Sequence, residues 1–423
     1  MTLAEKILAR ASGRDEVYPG ETVTATIDLA ASSGNANEVR KRFLALGGEE
    51  VWDADRIVIV LEQLDPVQRA GEQRALREFA REQELRHFYD VGRGGACHQV
   101  VAEHGHTLPG MFVAGTSRHA AAYGAYGALA LEIDTERMAV VWKHGRLKVE
   151  VPSTVRVEVS GIFRPWTSTK DLVLYLASSM GRSNRGCSID FSGPAVAAMS
   201  ISSRMVLTGL ARRVGAMSAF TGVDNALLTH LAHMVGTPLA FSPAWAADSD
   251  ASYEKVMHVN IQKELSEPLV ACHGRTEVVL PLAKVAGTKI DMAVLGSCSN
   301  GRPEDFAAAA DVLTGRRVHT GTRLLAIPAS QQVYLDALKN GYLQALAAAG
   351  AVILPPGCGA ATSIAHGMLG AGEVCISTTD CSYDPAAGSA RRQVYEANPA
   401  VVAAAAAAGR IVHPEDVVED TAA

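Results

Sequence analysis

The sequence predicts an α/β protein. Short apolar runs with the composition of buried parallel strands recur along the chain, each is followed by a turn of small residues, and each turn opens a helix-like stretch. DMAVLGSCSN (291 to 300) runs into PEDFAAAADVL, RLLAIPAS (323 to 330) into QQVYLDALKNGYLQALAAAG, and MFVAGTS (111 to 117) into RHAAAYGAYGALAL. In such units functional groups gather at the carboxyl ends of the strands, where loops face helix N-termini whose free N–H groups attract anions. Ser117, Cys298, Ser330, Cys358 and Thr379 all fall at such ends.

Taken in order, MTLAEKILARASGRDE reads as a polar amphipathic helix, and DRIVIVL (55 to 61) as a strand followed by a helix after Pro66. The pattern changes between about 155 and 265. There VRVEVSG and CSIDFSG read as strands, and helical stretches are expected at 169 to 180 and about 200 to 216. LPPGCGAATS (354 to 363) reads as a buried strand running into a glycine-flanked cysteine, and EVCIST as a strand that makes Cys375 a core residue. The alanine run 403 to 408 continues a C-terminal helix that Gly409 ends. The expected division is into α/β domains at 1–154, 155–265 and 266–423.

With 423 residues, 48% hydrophobic content and 38 glycines, the chain is long enough for several sizeable cores. Its formal net charge of −6 offers no basic field for nucleic acid. The N-terminal stretch lacks the pattern of a secretory signal, and no long apolar run suits a membrane span. A soluble cytoplasmic protein working on small molecules is therefore expected. Seven cysteines, at 97, 187, 272, 298, 358, 375 and 381, do not suggest a disulfide framework in so large a chain. Reduced thiols or metal ligands are the expectation.

Taken together, MTLAEKILARASGRDEVYPGE, VWDADRIVIVLEQLDP, DVGRGGACHQV, LPGMFVAGTSRHAAAYGA, GSCSNGRPEDF and GEVCISTT resemble the large subunit of 3-isopropylmalate dehydratase, in the aconitase superfamily, from residue 1 to about 413. The resemblance implies three α/β domains around a central cleft. It also implies dehydration and rehydration of a small hydroxy-carboxylate on a 4Fe–4S cluster held by three cysteines. Cys298 in GSCSNGR and Cys358 in PGCGAAT match the first two ligands, but Ala361 stands where the third should be. An intact cluster is therefore not expected.

Other positions depart too. The family's Asp-His pair reads Glu62-Gln63, and its His-Asp-Gly-Thr loop reads Ser33-Gly34-Asn35-Ala36. Its Asp-Ser-His turn reads Ser117-Arg118-His119, its helix Asn and Glu become Gly209 and Arg213, and its arginine-bearing carboxylate loop reads Asp380-Cys381-Ser382-Tyr383-Asp384-Pro385-Ala386.

His98 and His119 match family active-site histidines suited to proton transfer; with Ser117 they are the catalytic candidates. The competing reading is that both histidines make only local hydrogen bonds. Arg118, Arg213, Asp380, Ser33 and Asn35 are the substrate-binding candidates; guanidinium forks suit carboxylates, and surface ion pairs are the alternative for the arginines. Cys298, Cys358 and Cys381, with Asp380 or His119, could ligate a mononuclear zinc or iron or a degraded cluster, or could be ordinary buried thiols. Cys97 beside His98 is set aside because neighbours in a strand point opposite ways. His230 and His233 share a helix face without a third ligand, and the glycines of VGRGGA (91 to 96) lack a phosphate-loop register.

The expected function is a divergent lyase or isomerase of specialised biosynthesis, acting on a small carboxylate by acid–base chemistry. The alternative is a non-catalytic regulatory or scaffolding subunit that kept the fold. No swivelling fourth domain is expected in this chain, so the expected partner is a small subunit that supplies it.

Overall fold

The computed structural model describes residues 1–61, 66–181, 184, 186–209, 211–273, 278–358, 369–370, 372–379 and 393–419. The first part of the chain is organised by a parallel sheet. An antiparallel pair, β1 (Thr22–Thr26) with β7 (Arg146–Glu150), flanks the strands β2 (Leu29–Ser32), β3 (Ile57–Val60), β4 (His87–Tyr89), β5 (Phe112–Gly115) and β6 (Leu129–Glu132). These five lie in the order β4-β3-β2-β5-β6, all parallel. Every residue of β2 (LAAS), β3 (IVIV) and β5 (FVAG) is buried, as in a parallel sheet covered on both faces.

The next sheet takes β8 (Thr154–Ser160), β9 (Ser188–Ser192), β10 (Ser218–Thr221) and β11 (Lys255–Asn260), in the parallel order β10-β9-β8-β11. The last has seven strands: β12 (Leu269–His273), β13 (Val278–Pro281), β14 (Met292–Gly296), β15 (Arg323–Ile327), β16 (Val352–Ile353), β17 (Val374–Ser377) and β18 (Gln393–Glu396). Its order is β13-β12-β18-β17-β14-β15-β16, parallel from β18 to β16 and antiparallel at β12 and β13.

In the first sheet the chain moves outward from β2 through β3 to β4 and then returns to add β5 on the other side. The last sheet does the same from β14 through β15 to β16, returning with β17. Each reversal leaves a crevice at the strands' carboxyl ends, because the loops on either side diverge to opposite faces.

Three expectations about local structure change. RHAAAYGAYGALAL is not one helix: Ala120–Tyr126 is a 3-10 turn, after which the apolar ALAL run enters β6. The strand before Cys358 shrinks to the two residues of β16. Cys97 and His98 occupy the first turn of a helix, Cys97–Glu103, not a strand, so the alternation argument that set Cys97 aside does not apply. Cys97 nevertheless packs inward, its thiol toward the Ser32 carbonyl at 3.8 Å.

Candidate active site

The two crevices meet. The glycine loop before helix Cys97–Glu103 docks against the end of β15: Ala96 N–H donates to the Ala329 carbonyl (2.7 Å) and Gln331 N–H to the Gly94 carbonyl (3.1 Å). Gly95 (φ 156°) is required there, since a Cβ would lie 2.5 Å from both the Ala329 oxygen and the Ser330 Cα. The glycines of VGRGGA thus serve a close backbone approach between the first and last sheets. Ser330 reinforces it, donating to Glu103 Oε2 at 2.6 Å, and burial pushes the Glu103 carboxyl above the usual range.

Cys298 sits in the turn that leaves β14. Gly296 (φ 101°) and Ser297 (φ 70°) are both left-handed, an uncommon conformation for a serine and a strained way to begin a helix. The turn is held from β17, where Thr378 Oγ1 accepts from Gly296 N–H (2.8 Å) and the Thr378 carbonyl accepts from Ser299 Oγ (3.1 Å). It is held also from the β16 loop, where the Gly357 carbonyl accepts from Ser297 Oγ (3.3 Å), and this brings Cys358 up to Cys298.

His98 bridges the crevices. Its Nε2 lies 2.8 Å from the Cys298 carbonyl, and because a carbonyl can only accept, Nε2 carries the proton. Nδ1 is then a bare lone pair, buried and without a partner among the described residues. Burial, with the nearby His119 and Arg302 charges, pushes the imidazole down to about 3, so it is neutral in the working range. His119, half-buried after β5, holds its ring tilted against that of His98, the centres 5.2 Å apart, and hydrogen-bonds the Cys298 thiol. The hydrogen bond from Cys358 and the His119 charge hold that thiol well below its usual range, against the opposing effect of burial.

The other candidates divide. Ser33, Asn35, Ser117 and Arg118 gather at the first crevice: Ser33 N–H donates to Thr116 Oγ1 (3.4 Å), Thr116 Oγ1 to Asn35 Oδ1 (2.7 Å), and His119 N–H to Ser117 Oγ (3.3 Å). Arg118 is exposed and, with Asn35 and Arg212, borders a cavity of about 800 Å³. Arg213 has a setting that the expectation of a substrate-facing cation did not foresee. It is 5% exposed and pairs with Glu396 (2.7 Å), which also meets Lys170 and His273 in a buried ion cluster between the middle and last sheets. Asp380 and Cys381 lie outside the described residues, as do Ala361, Glu62 and Gln63.

Sequence reading missed Arg302. Fully buried, its Nε donates to Gln99 Oε1 (3.0 Å) and its Nη1 to the Ser299 carbonyl (2.8 Å), tying the helix that carries His98 to the turn that carries Cys298. The signal was present in GSCSNGRPED, where an arginine precedes a proline-started helix instead of a typical small cap. Its partner, 203 residues away, was not visible.

The family's cluster takes three protein thiolates. The described residues bring Cys298 and Cys358 together, and the sequence places Ala361 at the third position. Among the described residues no group of three or more His, Cys, Asp or Glu side chains can hold a metal ion. The two thiols that the described residues bring together do not complete that three-cysteine cluster.

The comparisons identify the class as aconitase-type hydro-lyases. The aconitase (aconitate hydratase) family model matches residues 53–287 and 275–409, and the chain belongs to this family. It is 38% identical over 419 residues to a probable 3-isopropylmalate dehydratase large subunit of Methanothermobacter thermautotrophicus, covering 98% of this chain and 99% of that one. It is 36% identical over 424 residues to a probable methanogen homoaconitase large subunit of the same organism, each covered to 98%. Among solved structures, Thermococcus kodakaraensis aconitase X superposes with a TM-score of 0.50 at 12% identity, over 89% of this chain and 88% of that one, a likeness of fold alone. No helix among the described residues is long and apolar enough to cross a membrane.

Proposed function

We propose that the chain is the large subunit of a heteromeric hydro-lyase that removes water from, and adds it to, a small hydroxy-carboxylate in a biosynthetic pathway. The carrying observation is the His98 to Cys298 contact at 2.8 Å, which joins the two switch-point crevices into one cleft with His119 beside it. Elimination of water breaks a C–H and a C–O bond; the carbon's proton goes to a base, and the departing hydroxyl takes a proton from an acid. His119, half-buried on the turn after β5, is placed to handle the hydroxyl's proton, and Ser117 on the same turn orders its backbone. To His98 this reading gives a positioning role. Held neutral, it is a poor acid, and its work is to fix the Cys298 turn and to offer Nδ1 as an acceptor. Arg118 is the cation in reach of a substrate carboxylate at the first crevice.

The relatives named above are called large subunits, which supports a small-subunit partner that closes the cleft and excludes water. Against the alternative of a non-catalytic subunit stand the names of the relatives, a dehydratase and a homoaconitase large subunit. The test is co-expression with a dehydratase small subunit and a turnover screen across hydroxy acids, beside an iron and sulfide assay after anaerobic reconstitution. Turnover by the complex with well under about four irons per chain is the expected result. An inert complex would sink the hydro-lyase reading, and about four irons per chain would show that the third ligand is replaced.

A further inference from the structure

The middle sheet is covered unequally. Val155, Val157, Val159, Ile189 and Phe191 turn to a core packed with helices, as a parallel sheet requires. The opposite face carries Arg156, Glu158, Asp190 and Ser192 instead, with Arg156 and Asp190 directly opposite in register. Over it runs the segment 241–253, anchored by Lys6, which pairs with Asp248 (2.6 Å) and donates to the Ala246 carbonyl (2.9 Å). Between sheet and segment lies a pocket of about 450 Å³ that none of the cleft residues named above lines. Its size is that of a small-metabolite site.

The polar groups in it are ordered. Tyr253 stands between the two charges, its hydroxyl donating to Asp190 Oδ2 (3.1 Å) and accepting from Arg156 Nη1 (3.2 Å), with the guanidinium 5.0 Å from its ring centre. Arg156 Nε is directed to Ser192 Oγ at 3.2 Å. Arg204, by contrast, spends four of its five donors on Asp224 and on the Met199, Ala197 and Gly222 carbonyls, and belongs to the floor. Asp190 and Arg156 are therefore a carboxylate and a guanidinium bridged by one hydroxyl, with Glu158 Oε1 3.5 Å from Arg156 Nε as the competing carboxylate that a ligand would replace. Burial pushes the Asp190 carboxyl upward, an unfavourable state that a cation arriving beside it would relieve. The remaining wall is apolar: Val196, Val223, Trp245 and Phe241, the last 51% exposed.

We propose that this pocket binds an α-amino acid with a medium-sized apolar side chain, its ammonium on Asp190, its carboxylate on Arg156 and its side chain against Phe241 and Trp245. The site is independent of the cleft and of the reaction assigned to it.

Calorimetric titration of the full chain with L-leucine tests it, beside isoamylamine, which lacks the carboxylate, and 4-methylpentanoate, which lacks the ammonium. One leucine per chain should bind with a dissociation constant of about 1 mM or tighter, each single-anchor probe at least about tenfold more weakly. Asp190→Asn and Arg156→Gln should each weaken leucine about tenfold; should both fail to fold, the surface change Phe241→Ala should weaken it about fivefold. No saturable heat with leucine up to about 10 mM, or unchanged affinity in the folded variants, would overturn the proposal.

Discussion

Two buried polar clusters lie along the carboxyl edge of the seven-stranded sheet, and they are built on opposite terms. Glu396, at the end of β18, meets Lys170, Arg213 and His273, all at most 7% exposed, so every charge there faces an opposite one or a histidine. Two strand spacings away, about 10 Å by sheet geometry, the Cys298 turn gathers His98, His119 and Cys358, and there a neutral imidazole keeps a lone pair that no described residue answers. Burial is common to both. What separates them is charge: Glu396 stands against two cations, as a joint between sheets needs, whereas the cysteine turn holds a neutral imidazole whose Nδ1 is open to something that arrives.

If that contrast is right, the ion cluster should govern stability and the cysteine turn should govern turnover. The largest stability effect is expected from Glu396→Gln, which leaves Lys170 and Arg213 buried opposite a neutral amide. Breaking a buried pair from one side costs roughly 3–5 kcal/mol, so urea unfolding should show a large drop in midpoint. A shift under about 1 kcal/mol would mean that the cluster is not the joint described.

Acid should distinguish the regions by the window in which each loses stability. The Glu396 carboxyl is held well below its ordinary value, against its own burial, by Arg213, Lys170 and His273. Its contribution is present above the unfolded carboxylate pKa, about 4.3, and is lost as pH falls below it. His98 is depressed from 6.5 to about 3, so the unfolded chain binds the extra proton between those values, and stability falls as pH drops below 6.5. That amounts to roughly 2 kcal/mol between pH 7 and pH 5. His98→Gln should flatten this part of the pH–stability curve, and an unaltered slope would show that His98 is not held neutral. A smaller effect is expected at the docking contact: Ser330→Ala removes both a helix cap to Val333 and the donor to Glu103, for about 1–2 kcal/mol by thermal unfolding.

The same contrast explains what could be read from the sequence. Strand–turn–helix units were legible because apolar runs such as MAVLG and RLLAI report local periodicity, and they became β14 and β15. Cys298, Cys358, His98 and His119 were legible as a set only through resemblance, and the structure brings these four together. Arg213 was read as a substrate-facing cation or a surface ion pair, and it is instead buried against Glu396, a nonlocal partner joined to it through the packing of two sheets. The Cys97–His98 helix was misread because GGA before it suggests a turn and the helix is only 7 residues long, too short to show a period.

The most direct test of the site is the turnover number of the reconstituted complex on the hydroxy acid found by the screen, before and after His119→Ala. Turnover should fall about 100-fold or more, as for loss of a general acid or base, while the melting temperature stays within about 2 °C because His119 is not part of the ion cluster. A variant that folds normally and turns over at the original rate would contradict the assignment of proton transfer to His119.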